Sequence, residues 1–368
     1  MPDITSLLEP QAIPPPKPRR RHAADNLPES LLLTARATEK TAFDPATHLT
    51  FTPPRKILTF EDLGQSDAGI SPNAVSEPFA LFTDEAVKQM RAEIFSPEIL
   101  ARHYCPTSPS SGQVRGHCPN DAKFINAVWT CPQVLEIISQ VAGIELVPAM
   151  DYDIGHTNIS INSDDSEYAC VAPGEAKDAS SDFCESAFGW HRDSYPFVVV
   201  TMLSDCEGMV GGETAIRTGA GEVIKARGPA LVSHGSTSLL SGIPNRPLTH
   251  IEQGTAVVMQ GRYVDHQATI ALGGRERISM VTSFRPRSHL AKDETTLRGV
   301  RNISDISTLY YQYSEYRLRN LERRVQDELE SLRLRREGGG GFDVPRARSW
   351  LGEQRGFLDA VLSEMQVY

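Results

Sequence analysis

The segment Gly189-Trp190-His191-Arg192-Asp193-Ser194 sets an imidazole and a carboxylate two residues apart, on one side of the chain where the backbone is extended. A second histidine closes Gly261-Arg262-Tyr263-Val264-Asp265-His266, beside a predicted strand, and Arg277-Ile278-Ser279 opens the next one. Two imidazoles and one carboxylate on one side of a divalent iron leave three coordination positions open, which suits a bidentate oxo-acid and dioxygen. Arg277 follows His266 by eleven residues and shares a strand face with Ser279. A guanidinium fork and a hydroxyl on one face can grip a distal carboxylate. Taken singly, each element has an ordinary reading: His191 and Asp193 as a structural hydrogen-bonded pair, His266 as a core histidine. Their conjunction in this order points to a metal site. Zinc or manganese fits the same ligands, but a carboxylate-gripping arginine favours a keto-acid cosubstrate over simple hydrolysis.

These residues resemble the iron(II)/2-oxoglutarate-dependent dioxygenase superfamily, marked by His-x-Asp, a distant His and, about ten residues on, an arginine often followed by x-Ser. The resemblance spans Tyr152 to Pro286 and includes Gly211-Gly212-Glu213-Thr214, similar to a turn and strand of the prolyl-hydroxylase-like branch. The strings His191 to Phe197 and Gly261 to Gln267 also resemble a fungal branch associated with small-molecule and amino-acid oxidation. The resemblance implies an α+β fold with a double-stranded β-helix (jelly-roll) core. It implies iron(II) on His191, Asp193 and His266, with the far carboxylate of 2-oxoglutarate on Arg277 and Ser279. With dioxygen as second cosubstrate, the implied reaction oxidises an unactivated C–H bond of a small molecule, an amino acid or secondary metabolite, and releases succinate and CO2. Hydroxylation, desaturation and oxidative cyclisation all remain open. A noncatalytic β-helix module that binds partners through its C-terminal helix is the alternative class.

Around this set, Tyr152, His156 and Asn158 alternate in the apolar-polar run from Tyr152 to Ile161, which places all three on one face of a predicted strand. They are candidates for the barrel mouth, Tyr152 as a cosubstrate contact, with core hydrogen bonding as the other reading. Arg262 could pair with a substrate carboxylate or with Asp265. Arg192 should face away from the metal, and Trp190 and Phe197 read as packing.

The elements that must carry these residues follow from periodicity. Residues 1–76, with Pro14-Pro15-Pro16 and Pro53-Pro54, read as a largely disordered or extended arm, of which Leu49-Thr50-Phe51 and Ile57-Leu58-Thr59-Phe60 could dock. Residues 77–290 form the predicted oxygenase domain. In it, helices start at Thr83-Asp84-Glu85, run from Asn120 to Trp129, and follow Pro132 through Val141. Strands are predicted at Leu146–Met150, Tyr152–Ile161, Val198–Leu203, Thr214–Arg217, Ala256–Met259 and Ile278–Phe284, with Asn162–Ala187 as an acidic loop or lid. Residues 291–368 form a helical extension. In it, Leu318, Leu321, Val325, Leu329 and Leu332 mark an amphipathic helix ended by Gly338-Gly339-Gly340-Gly341. It packs on its own domain or forms a homodimer seam.

Val232 to Gln253 separates Gly228-Pro229-Ala230-Leu231 from Gly254-Thr255-Ala256-Val257-Val258, which together would read as a turn entering a strand. Its ends are compatible with codons carrying the donor, branch and acceptor patterns of a short intron. A retained intron in the gene model and an ordinary surface insertion are the two readings. Removing it would shorten the Asp193–His266 separation from 73 to 51 residues with every motif intact, and sequencing the transcript decides between them.

The chain has 368 residues, 40% hydrophobic and 23% charged, enough for a core that needs no disulfides, and no apolar run long enough to span a membrane. The net charge of −10 would repel a phosphate backbone, which argues against a nucleic-acid partner. Six cysteines without C-x-x-C spacing read as thiols. A proline-rich start ending in Lys17-Pro18-Arg19-Arg20-Arg21 lacks the apolar region of a secretory signal, so a reducing, cytoplasmic location is expected.

Overall fold

The computed structural model describes residues 27–108, 111–161, 186–206, 209–211, 214–226, 253–269, 271–272 and 276–367. In chain order the first half forms α1 (Glu29–Ala37), α2 (Pro45–His48), β1 (Ile57–Thr59), β2 (Asn73–Ser76), β3 (Phe79–Ala80), α3 (Asp84–Ile94), α4 (Pro97–His103), β4 (Tyr104–Ser108), β5 (Ser111–Val114), α5 (Lys123–Thr130), α6 (Pro132–Ala142), β6 (Leu146–Pro148) and β7 (His156–Ile161). There follow β8 (Ser186–His191), β9 (Phe197–Met202), β10 (Val210–Gly211), β11 (Thr214–Arg217), β12 (Val223–Ala226), β13 (Thr255–Met259), β14 (His266–Thr269), β15 (Ala271–Leu272), β16 (Glu276–Pro286), α7 (Ile306–Glu337) and α8 (Val344–Glu364). Up to Gly299 the described chain is one compact unit, and from Val300 onward it is another.

Local chemistry accounts for the helix ends of the first unit. Thr83 caps α3 by accepting a hydrogen bond from the Ala86 amide, and the acidic Asp84 and Glu85 sit in its first turn. Gly143 stops α6 in the left-handed region at φ 72°, a conformation that costs glycine nothing. The helix expected from Asn120 begins only at Lys123, because the Asp121 and Ala122 amides both turn back to the His117 carbonyl. Buried faces of α3, α5 and α6 meet one side of the sheet in a core that includes Met90, Trp129, Ile138, Met280 and Phe284.

The strands form a ten-stranded sheet along β1-β2-β13-β9-β16-β7-β5-β4, with β3 and β6 at its margins. A four-stranded sheet has the order β12-β11-β14-β8, and every pairing is antiparallel. Ile216 of the smaller sheet and Val198, Val257 and Met259 of the larger belong to one buried apolar cluster. The two sheets therefore share an apolar interior.

Two expectations are corrected here. The docking expected at 49–51 and 57–60 is found, but residues 27–76 as a whole are not the largely disordered or extended arm expected. Leu31 and Ala35 of α1 are buried in the main core, β1 and β2 extend the large sheet, and Phe60, Leu63 and Val75 fill the cluster between the sheets. Low periodicity concealed this because the segment contributes single side chains and short edge strands to a core built elsewhere. Tyr152, in turn, is not on a strand. Residues Asp151–Asp153 form a single turn of 3-10 helix, and β7 starts at His156 after Gly155 at φ 73°.

In the second unit α7 ends where the glycine run begins, as its composition demands, with Asp305 capping its start. The run is followed by a second helix, α8, absent from the periodicity reading. Arg346 grips Glu328 through both oxygens at 2.9 and 2.7 Å, and the Arg317 guanidinium lies 3.8 Å from the Phe357 ring centroid. Tyr310 accepts from the Gln366 amide, so α7 and α8 run antiparallel. Among the described residues no helix is long and apolar enough to cross a membrane. Of the expected lid Asn162–Ala187, residues 162–185 lie outside the described residues and Ser186 and Ala187 begin β8; of the inserted Val232–Gln253, residues 232–252 lie outside them.

Candidate metal centre

His191 ends β8 and His266 begins β14, and the antiparallel register makes them direct partners with ring centroids 4.4 Å apart. Asp193, just past the strand end, lies beside both: its Oδ1 is 3.6 Å from His191 Nε2 and its Oδ2 3.7 Å from His266 Nε2. One donor atom from each of the three residues falls within 4.8 Å of the others. The 75-residue separation of the two histidines is thus closed by a single strand pairing.

Each histidine is oriented in the same way. His191 Nδ1 lies 2.7 Å from the Gly189 carbonyl and His266 Nδ1 2.9 Å from the Val264 carbonyl. A carbonyl only accepts, so Nδ1 carries the proton in both rings and Nε2 is left with its lone pair toward Asp193. The His266 side chain is 8% exposed and that of His191 41%, which makes one wall of the site dry and the other open. Once protonated, His191 Nε2 would donate to Asp193, and that bond raises the His191 pKa against the effect of burial. Burial works against ionisation of Asp193, but the charge of His266 and the bond and charge of His191 outweigh it and hold the carboxyl below its ordinary value.

What places Asp193 is the loop after β13. The Asp193 amide donates to the Gly261 carbonyl at 2.9 Å, and a β-carbon on Gly261 would overlap the Asp193 carboxylate. The preceding residue, Gln260, is 1% exposed. Its Nε2 donates to the Ser71 and Asn73 carbonyls, and its Oε1 accepts from the Ile70 amide. The segment around β2, read from sequence as part of an arm, therefore buttresses the loop that seats the carboxylate.

On β16, Arg277 and Ser279 share a face by strand alternation. Register partners extend that face: Gln113, Asn158, Ser279 and Met202 form one row across β5, β7, β16 and β9, and His156 pairs with Val281 in the next. Asn158 and His156 are thus on the arginine face, as alternation predicts. Arg277 Nε is buried without a hydrogen-bond partner among the described residues, and burial lowers the guanidinium pKa. A desolvated cation of this kind is built to meet an anion.

The donor set fits a divalent transition metal: two imidazole nitrogens in the neutral, Nε2-directed form and one carboxylate. The orphaned guanidinium nitrogen fits a carboxylate-bearing cosubstrate. Tyr152 instead sets its ring against Arg115, 5.4 Å from ring centroid to guanidinium, and against Gly116. Asp265 is paired with Arg217 at 2.7 Å rather than with Arg262, and Arg217 also covers the Trp190 ring at 4.2 Å. Arg192 is exposed, and Phe197 is wholly buried in the core, as expected of a packing residue.

The sequence reading missed the buried network beneath the site. Arg115 pairs with Asp153, and Tyr195, two residues past Asp193, donates its hydroxyl to the same carboxylate. Spacing carried no signal for it, since the three residues come from three separate segments. Ser194 adds a tether: its carbonyl accepts from Thr296 and its hydroxyl oxygen from the Gly299 amide.

No model of a known protein family matches this chain, and no curated protein sequence matches it. Solved structures do. A prolyl-4-hydroxylase from Pseudomonas putida aligns at 16% identity over 62% of this chain and 97% of its own, with a TM-score of 0.33. An oxidoreductase of the 2OG-Fe(II) oxygenase family from Burkholderia pseudomallei aligns at 14% identity over 51% of this chain and 74% of its own, with a TM-score of 0.31. The non-heme alpha-ketoglutarate-dependent epimerase SnoN of nogalamycin biosynthesis aligns at 11% identity over 67% of this chain and 88% of its own, with a TM-score of 0.40.

Proposed function

We propose that this chain is an iron(II)- and 2-oxoglutarate-dependent oxygenase that oxidises an unactivated C–H bond of a small molecule, an amino acid or a secondary metabolite. The pair of antiparallel sheets is read as a double-stranded β-helix. His191, Asp193 and His266 hold the iron, Arg277 and Ser279 hold the far carboxylate of 2-oxoglutarate, and Tyr152 stands at the margin of that set through Arg115. The observation that carries this reading is the convergence of three donor atoms within 4.8 Å, with both imidazoles oriented by a backbone carbonyl two residues back.

Bound iron supplies the oxidising power that couples decarboxylation of 2-oxoglutarate, to succinate and CO2, with removal of hydrogen from carbon using O2. The chain's own residues do the rest. Arg277 neutralises and orients the cosubstrate in a desolvated setting, where a charged hydrogen bond is strongest. His266 closes the dry wall, and the more open His191 side gives the substrate its approach. Gln113 and Asn158, level with Ser279, offer amide groups for a polar substrate. Positioning of the target carbon selects among hydroxylation, desaturation and cyclisation. Buried thiols such as Cys118 and Cys206 suit a reducing cytoplasm.

Succinate formation from 2-oxoglutarate with iron(II) and ascorbate, scanned against a panel of amino acids, tests the proposal. Turnover that one substrate class accelerates is expected. Absence of both coupled and uncoupled turnover in a protein that retains no iron overturns it and favours a binding module.

A further inference from the structure

We propose that Tyr195 is a positioning residue of the metal centre: its hydroxyl, fastened to the buried Asp153 carboxylate, fixes the segment that presents Asp193 to the metal. The inference rests on the metal reading of His191, Asp193 and His266 and adds to it a residue from outside the ligand set.

Asp193, Ser194 and Tyr195 are held one by one from three separate parts of the chain. The Asp193 amide donates to the Gly261 carbonyl at 2.9 Å, the Ser194 carbonyl accepts from the Thr296 amide at 2.8 Å, and the Tyr195 hydroxyl donates to Asp153 Oδ2. The first two ties are backbone hydrogen bonds, independent of residue type. The third depends on the side chain. Tyr195 is 3% exposed, and phenylalanine would fill nearly the same buried volume, so what the hydroxyl adds is the tie itself.

The far end of the tie is stiff. Asp153 closes a turn of 3-10 helix, in which its amide donates to the Met150 carbonyl and that of Ile154 to the Asp151 carbonyl. The Gly155 amide then donates to Thr282 Oγ1 on β16 at 3.0 Å. Arg115 occupies the other carboxylate oxygen, Oδ1, and its guanidinium lies 5.4 Å from the Tyr152 ring centroid. Asp153 and Arg115 are both buried, so little solvent competes for the carboxylate, and a charge-assisted bond is strongest in such surroundings. Without the hydroxyl, one oxygen of a buried carboxylate loses its donor and the segment can pivot about its two remaining ties.

The same carboxylate reaches toward the cosubstrate side. Arg115 Nη1 lies 3.3 Å from His156 Nδ1, and a guanidinium only donates, so Nδ1 accepts. His156 stands on the face of the large sheet that carries Arg277 and Ser279. Through Asp153 and Arg115, Tyr195 therefore links the metal segment to that face. These are the two parts that a cosubstrate chelating the metal and paired with Arg277 has to bridge.

Cobalt(II) titration of the full chain, followed by visible absorption, tests this with two readouts, affinity and the shape of the metal's absorption bands. Tyr195→Phe is expected to bind cobalt(II) about tenfold more weakly and with altered bands. Ile138→Val, a substitution in the core on the helix side of the large sheet, lowers the urea midpoint and is expected to keep the wild-type affinity and bands. The tenfold loss is also expected when Tyr195→Phe is added to Arg115→Met with Asp153→Asn, where both buried charges are gone and no carboxylate is left unpaired. Unaltered affinity and bands on adding Tyr195→Phe to either background, or an equal loss in Ile138→Val, overturn this inference and leave the metal reading standing. A wild type that binds no cobalt(II) overturns both.

Discussion

Gly261 and Asp193 touch through their backbones, amide to carbonyl at 2.9 Å, and the space where a side chain of residue 261 would begin is filled by the Asp193 carboxylate. The candidate metal ligand is thus seated in the gap left by a missing β-carbon. Gly261→Ala must displace Asp193, while the strand pairing of the two histidines survives. Affinity for iron(II), or for cobalt(II) as a spectroscopic stand-in, is expected to fall by about 10–100-fold with little change in circular dichroism. Titration of the variant with unaltered affinity would show that Asp193 does not coordinate from this position.

Gln260 acts one layer further out. Its side chain satisfies three backbone groups of residues 70–73 in a buried setting. Gln260→Ala strands those groups, a loss expected at about 2–3 kcal/mol in urea unfolding, together with weaker metal retention. Full stability with full metal binding would separate the β2 segment from the site.

In the proposed function Arg277 holds the cosubstrate and the histidines hold the iron, so their variants should fail differently. His191→Ala or His266→Ala is expected to abolish iron retention and turnover. Arg277→Ala should keep the iron but weaken 2-oxoglutarate by about 2–5 kcal/mol, the cost of deleting one partner of a desolvated charge pair. Calorimetry with 2-oxoglutarate on the metal-loaded variant reads this directly, and equal affinity removes Arg277 from the cosubstrate site.

His117 gives the fold an acid limit. It is 1% exposed with neither ring nitrogen hydrogen-bonded among the described residues, and burial, helped by the charge of His103, lowers its pKa to about 3. Between pH 6.5 and 3 the unfolded chain therefore binds a proton that the folded chain refuses, so stability is full above 6.5 and falls as the pH drops. At pH 5 the loss from this group is about 2 kcal/mol. His156 shifts in the same direction. Urea unfolding of His117→Met at pH 7 and pH 5 should show a smaller drop than the wild type, and an equal drop assigns the acid sensitivity elsewhere.

Features decided within a few residues were legible in the sequence. Thr83 and Gly143 bound their helices by capping, the Gly338 run stops α7, and alternation on β7 and β16 put Asn158, Arg277 and Ser279 on one face. Tyr152 was misread because alternation cannot distinguish a strand from a tight turn that precedes it. The leucines of α7 read as the stripe of an amphipathic helix that packs on its own domain or forms a homodimer seam; the helix buries Leu309, Tyr313, Tyr316 and Asn320 and leaves Leu318 and Leu329 outside. Apolar periodicity reports that a helix has faces, not which face its neighbours cover.

The chain order of His191, Asp193, His266 and Arg277 was enough to nominate a ligand set and its chemistry, because coordination depends on residue type and a strand repeats every two residues. Only the tertiary structure could join the pieces. The β8–β14 register that brings the two imidazoles together, the missing side chain at Gly261 that admits the carboxylate, and the Gln260 clasp to residues 70–73 are contacts between segments far apart in the chain. Their geometry follows from long-range packing, which no local pattern of residues encodes.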